Sequence, residues 1–220
     1  MAEPEPNRTF AEAKIETIRN ADLVEVRRTQ ILDASLHLFL KKGYASTTIR
    51  DIASASGVNQ ASLYDYVANK EDILHRLLNR VWRVGNECGL ERLASAVQAG
   101  APLRPTLKAY FREHWAEMSQ VILLAYRSGA YLSAADRKVL RDNEQASLTL
   151  MEKILRTLTG VEGQDQKVRI SANLILYLLG FAPMRHWVMN DFDSELASEA
   201  AADAAVGAVE GLRASAPCIR

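Results

Sequence analysis

The chain has 220 residues, 48% hydrophobic and 25% charged, enough to bury a core in one large domain or two small ones. Lys+Arg and Asp+Glu both number 27, so the formal net charge is zero, and any nucleic-acid surface has to come from local segregation of charge. Its two cysteines, Cys88 and Cys218, stand far apart, which argues against a disulfide framework and fits a reducing, cytoplasmic setting.

The opening MAEPEPNRTF is acidic and Pro-rich and lacks the basic-then-apolar order of a secretory signal. Residues 1–23 read as a flexible or partly helical extension, with helix from about Ala11. A first clear helix is predicted from about Leu23 to Lys42, with Ile31, Leu32, Leu38 and Phe39 on one face. Lys41 and Lys42 lie in its last turn, where the helix dipole favours cations, and Gly43 follows as a C-cap. Thr47 is a predicted N-cap for TIRDIASAS, stopped by Gly57. Asn59 can cap QASLYDYV, and Asn69 a longer helix from Lys70 to about Ala96.

Gly100, Pro102 and Pro105 break the pattern before a helix through PTLKAYFREHWAEM. Further helices are predicted over 120–131, 134–159, 165–190 and 194–213. The last is Ala-rich, which suits close packing. The longest apolar run, Ile170 to Met184, is interrupted by Ser171 and Asn173 and falls short of the roughly 20 residues that span a bilayer, so no membrane partner is expected. The fold class expected is all-α. An N-terminal three-helix helix-turn-helix domain, residues 24–85, would join a C-terminal helical bundle, residues 86–220, about nine helices in all.

Chemistry concentrates in TTIRDIASASGVNQASLYDYVANKEDIL, residues 47–74. Ile49, Ile52 and Ala53 give the first short helix an apolar side, and Gly57 permits the turn. Val58, Leu63 and Val67 would anchor the second helix from behind. Gln60, Ala61, Ser62, Tyr64, Asp65 and Tyr66 are left for its exposed sides. A short helix of this kind can enter a major groove. Gln60 can pair with an adenine edge or reach guanine, and Ala61 and Ser62 can meet a thymine methyl. The hydroxyls of Thr47, Thr48, Tyr64 and Tyr66 can reach phosphates, as can Lys70 at a helix start. An inert bundle corner would have no need of so many polar groups on one edge, although Tyr64 alone could be packing.

From RRTQILDASLHLFLKKGY through TTIRDIASASGV to SLYDYVANKEDIL, the chain resembles the DNA-binding head of TetR-family transcriptional repressors, densely over residues 28–75. The matching features are Phe39 with Gly43-Tyr44, the Thr-Thr-Ile start, the Ile-Ala pair, Gly57-Val58, and Leu63-Tyr64 followed by Asn69-Lys70-Glu71. The resemblance implies that Gln60, Ala61, Ser62, Tyr64 and Tyr66 contact bases from a recognition helix, and that Thr47 or Thr48, and Lys70, contact phosphates. Many members carry His-Phe where this chain has Tyr66-Val67, which still supplies a donor and a core anchor.

The resemblance also implies a homodimer through the last two helices, a double-stranded DNA operator, and a small-molecule pocket in the C-terminal region. Leu174, Leu178 and Phe181 would supply apolar contact for the dimer. Candidate pocket residues are Phe111, His114, Trp115, Tyr126, Arg127, Tyr131, Tyr177, Phe181 and Trp187. Ordinary core packing accounts for most of the aromatics equally well. Residues 121–144 and FAPMRHW, 181–187, are similar to the acyl-CoA-responsive subgroup. Arg127 could hold a ligand phosphate or pair with Asp136 or Glu144. Lys138 and Arg141 could extend a phosphate rim or form a solvated face.

There is no H-E-x-x-H, G-x-S-x-G, P-loop or G-x-G-x-x-G, and the four histidines and two cysteines do not fall at metal spacing. The chain is therefore expected not to be an enzyme, to need no cofactor beyond a small-molecule effector (an acyl-CoA among the candidates), and to hold no metal. The sequence-level conclusion is a cytoplasmic, ligand-responsive repressor. The alternatives are a sensorless DNA-binding dimer and a helical acyl-CoA-binding protein or enzyme.

Overall fold

The computed structural model describes residues 9–15, 21–84, 89–162, 166–189 and 191–215, and among these the regular structure is all helical. In chain order the helices are α1 (Ala21–Lys42), α2 (Ile49–Ser56), α3 (Gln60–Leu63), α4 (Lys70–Val84), α5 (Glu91–Gln98), α6 (Leu103–Ser128), α7 (Ala134–Thr159), α8 (Gln166–Met184), α9 (His186–Met189) and α10 (Ser194–Ser215), with a 3-10 turn at Gly129–Tyr131. Among the described residues there are ten helices against about nine expected, for local reasons. Of the predicted 70–96 helix, α4 and α5 are described, on either side of residues 85–88, which lie outside the described residues. The two helices expected over 105–131 are one, α6, and Pro105 falls in its first turn, where its missing N–H costs nothing. The predicted 165–190 helix breaks after Pro183 and Met184.

The chain divides into two compact units, one holding Thr9–Val81 with Gln120–Val139, the other Trp82–Ser119 with Leu140–Arg220. In the first, Ile31, Leu32, Leu36 and Phe39 of α1 are buried, as are Ile52 and Ala53 of α2, Leu63 of α3, Val67, and Ile73, Leu74, Leu77 and Leu78 of α4. Gly43 and Gly57 both adopt positive φ, 85° and 67°, and close α1 and α2.

The expected mobile extension is corrected over its described part. Residues 9–15 are not helical but are tied to α4. Phe10 is buried, and Asn79 bonds both its N–H (2.7 Å) and its carbonyl (3.0 Å). Arg76 reaches Glu12 (2.8 Å) and the Ala13 carbonyl (2.7 Å), while Asp72 accepts from Ala13 N–H (2.9 Å). The buried Phe10 anchor and the polar clamps beside it outweigh the good helix propensity of Ala11–Lys14. Residues 1–8 and 16–20, which include Arg8 and Arg19, lie outside the described residues.

The second unit is built on one cluster that joins Leu93 and Val97 of α5, Leu107, Phe111 and Trp115 of α6, Met151 and Leu155 of α7, Val168 and Ile175 of α8, and Ala202, Ala205 and Val209 of α10. The Ala-rich last helix thus uses part of its alanines to approach its own neighbours. Ion pairs set its register on α6: Arg104 holds Asp203 through two bonds (2.5 and 3.0 Å), and Lys108 meets Glu195 (2.7 Å) and Glu199 (2.5 Å).

Candidate nucleic-acid interface

The edge formed by α2, α3 and their flanking loops is assembled from the inside out. Ile52, Leu63 and Val67 are fully buried, so the short α3 is pinned by a single side and its remaining positions face away. Thr48 is the N-cap of α2, one residue later than expected. Its hydroxyl accepts from Asp51 N–H (3.1 Å), and the Asp51 carboxylate accepts from the Thr48 N–H (2.9 Å), a reciprocal capping box. Lys42 adds an ion pair to Asp51 at 3.0 Å. The Thr48 backbone N–H, then the Lys42 ammonium, hold the Asp51 carboxyl down at about 2, so it stays ionised and keeps the cap closed. Asn59 caps α3 through Ala61 N–H (2.8 Å), and Asn69 caps α4 through Asp72 N–H (2.8 Å). From α1, Arg28 donates to the Tyr66 carbonyl (3.3 Å), which fixes the exit of α3.

Among the expected base-contact residues, Gln60 and Ala61 are exposed, Ser62 and Tyr66 half-buried, and Tyr64 exposed at 48%. They form one polar, hydroxyl-rich edge around α3, together with exposed Thr48. α3 is shorter than expected: helix covers Gln60–Leu63 and the chain turns through residues 64–66, which fans Tyr64 and Tyr66 out from the helix end.

Two expected phosphate contacts are corrected. Thr47 is only 1% exposed, and its hydroxyl donates inward to the Gly43 carbonyl (2.9 Å). Lys70 turns back instead of outward. Its ammonium donates to the carbonyls of Tyr44 (2.9 Å), Thr47 (2.9 Å) and Ala45 (3.3 Å) and lies 4.6 Å from the Tyr44 ring centre. An ammonium has three donors, and all three are used. Lys70 therefore shapes the loop that presents Thr48. Arg50 is a further cation at this edge: the register that buries Ile52 and Ala53 leaves it exposed in the first turn of α2. That signal was present in the apolar spacing.

The pocket candidates separate. Phe111 and Trp115 are buried, 5.8 Å apart, with the Trp115 indole N–H on the Leu179 carbonyl (3.0 Å). His114 is mostly buried, 5.9 Å from the Tyr110 ring, and burial pushes it down from 6.5 to about 4, leaving it neutral near pH 7. Tyr126, Arg127 and Tyr131 belong to the other unit and are exposed. The Arg127 guanidinium donates through Nη1 to the Leu40 carbonyl near the C-terminus of α1 (3.1 Å), a third partner beside the two the sequence left open. Tyr131 packs on Tyr44 at 5.1 Å. Tyr177, Phe181 and Trp187 stand apart from the buried Phe111 and Trp115. They are exposed, and Ile170, Leu174, Tyr177 and Phe181 recur along one side of α8 at helical spacing.

Comparison with known proteins agrees with this edge. The model for "Bacterial regulatory proteins, tetR family" matches residues 31–77, from α1 into α4. The HTH-type transcriptional regulator HbdR of Aromatoleum sp. (strain CIB) is 29% identical over 184 residues, 82% of this chain and 79% of that protein. Among solved structures, FadR from Bacillus subtilis in complex with stearoyl-CoA superposes with a TM-score of 0.61 at 22% identity, covering 82% of this chain and 98% of that one. AibR in complex with isovaleryl coenzyme A and operator DNA gives 0.62 at 23%, covering 82% and 96%. The outward-facing α3 on its buried three-helix support thus lies within the stretch that matches the tetR-family model, and the chain as a whole is similar to HTH-type transcriptional regulators.

Proposed function

We propose that the chain acts in the cytoplasm as a homodimeric repressor whose two α3 edges read the halves of a palindromic operator, and that an acyl-CoA-type effector releases it. The observation that carries the DNA reading is the exposed Gln60–Tyr66 edge over fully buried Leu63 and Val67. Two such edges fit successive major grooves, about 34–36 Å apart, only if the chain pairs. The pairing face we assign is the outer side of α8 and α10. Ile170, Leu174, Tyr177 and Phe181 are exposed on α8, and Leu196, Ala200, Ala204 and Gly207 on α10, an apolar row beside small residues that allow close approach of a second copy.

The effector reading rests on the relatives that bind acyl-CoA, FadR with stearoyl-CoA and AibR with isovaleryl coenzyme A. It gives residues 24–85 the DNA-binding role and residues 86–220 the effector and dimerisation roles. DNA and effector then oppose each other by linkage. No helix among the described residues is long and apolar enough to cross a membrane. The test is fluorescence anisotropy of labelled DNA from upstream of the chain's own gene, titrated with stearoyl-CoA, isovaleryl-CoA and free CoA. One of the thioesters lowers DNA affinity and free CoA does not. Binding untouched by all three would leave a sensorless dimer and overturn the effector assignment.

A further inference from the structure

Away from the DNA-facing edge, three side chains of metal-ligand type converge within the first unit. Glu71 and His75 lie one turn apart on α4, on one side of the helix, and Asp136 lies in the first turn of α7. One ligand atom from each falls within 4.8 Å of the others.

His75 determines the chemistry. The residue is 7% exposed, its ring stacked against Phe10 at 5.6 Å. Nδ1 is 2.8 Å from the Ala11 carbonyl, which can only accept, so Nδ1 carries a proton. In the neutral imidazole Nε2 is then a bare lone pair. It is buried without a hydrogen-bond partner and stands 3.2 Å from Asp136 Oδ1. A lone pair facing a carboxylate oxygen is repulsive unless a positive species lies between them. Asp136 is prepared for the same role. Its Oδ2 is committed to the Ser133 N–H (3.2 Å) and hydroxyl (2.7 Å) as a helix cap, which leaves Oδ1 to face His75.

The spacing fits a metal. Ligands about 2.0–2.2 Å from a tetrahedral zinc lie about 3.3–3.5 Å from one another, close to the separation of Nε2 and Oδ1. Glu71 is exposed and free to swing onto the same point. An imidazole that donates its second N–H to a backbone carbonyl is the arrangement that orients a metal-bound histidine. One nitrogen with two carboxylate oxygens suits a borderline divalent ion, whereas magnesium and calcium want an all-oxygen shell. We propose that Glu71, His75 and Asp136 bind a divalent transition-metal ion of the zinc class, with water in the fourth position. Such an ion cross-links the first turns of α4 and α7 and holds the anchored Phe10–Ala11 segment through the His75 ring. The spacing of histidines and cysteines gives no sign of this site, since Asp136 stands far along the chain from the other two ligands.

The experiment uses the full-length protein carrying Cys88→Ser and Cys218→Ser, so that thiols cannot compete, stripped with EDTA and returned to metal-free buffer. Zn(II) is titrated calorimetrically and Co(II) by visible absorption. The expected result is one ion per chain, with a Co(II) spectrum of nitrogen and oxygen ligation and an affinity at least tenfold lower in both His75→Gln and Glu71→Gln. Glu71 is exposed, so Glu71→Gln keeps the fold even where His75→Gln does not, and circular-dichroism melting checks both. Absence of saturable binding, the outcome expected if a proton instead bridges His75 and Asp136, overturns the proposal. Binding of equal strength in both variants overturns it as well.

Discussion

Replacing Lys70 with Met keeps the stem and removes the ammonium, and so asks whether this cation contacts DNA or organises the loop behind it. The ammonium satisfies three carbonyls between Tyr44 and Thr47 and covers the Tyr44 ring. Hydrogen bonds to charged groups contribute about 1.5–3 kcal/mol each when counted alone. The three share one donor atom, they are not additive, and the exposed Ala45 region can be rehydrated when the ammonium is gone. Immobilising a lysine also costs up to about 2 kcal/mol of side-chain entropy, which the variant recovers in part. The net loss works out near 2 kcal/mol, a drop in Tm of about 4–8 °C for a chain of this size. Thermal unfolding by circular dichroism reads that shift. DNA binding as a function of salt reads the role, because losing one phosphate contact reduces the slope of log K against log salt by about 0.9. The loop-organising role predicts a lower Tm, weaker binding to every sequence and an unchanged salt slope. An unchanged Tm with a slope reduced by about 0.9 would refute the reasoning and return Lys70 to a phosphate.

Other perturbations probe separate parts of the molecule. His114 is held by burial at about 4 against an ordinary 6.5, so as pH falls the unfolded chain takes up the proton first. Its contribution is complete above about pH 6.5 and is lost between 6.5 and 4, up to about 3 kcal/mol. Urea unfolding across that range should be steeper in pH for the parent than for His114→Gln, and identical profiles would count against the buried neutral imidazole. Phe181→Glu places a charge in the proposed pairing face while leaving the head untouched. Sedimentation should show monomers, with operator affinity down at least a hundredfold, and an unchanged dimer would relocate the interface.

Much of the DNA-facing edge was legible in the chain. Apolar spacing places Ile52, Leu63 and Val67 inward; Gly57 marks the turn, and Asn59 and Asn69 mark helix starts, because each device acts within a few residues of itself. What stayed hidden depends on packing between distant segments. Nothing local says whether the Thr47 hydroxyl or the Lys70 ammonium turns to solvent or back to the carbonyls that follow α1. The bond from Arg127 to the Leu40 carbonyl also depends on packing between distant segments. On α8, apolar residues run all around the helix, so periodicity could not separate buried Ile175 from exposed Tyr177 and Phe181. His75 and Asp136 likewise meet only in the folded unit.

The most direct measurement is competition binding of the parent chain and a Gln60→Ala/Tyr64→Ala double variant to operator DNA and to scrambled DNA at one salt concentration. These side chains are exposed, so the variant should unfold at the parent's temperature. The account predicts that it loses at least tenfold of the preference for operator while its affinity for scrambled DNA stays within about threefold, since base contacts specify and phosphate contacts hold. A variant that discriminates as sharply as the parent would contradict the claim that the α3 edge reads sequence.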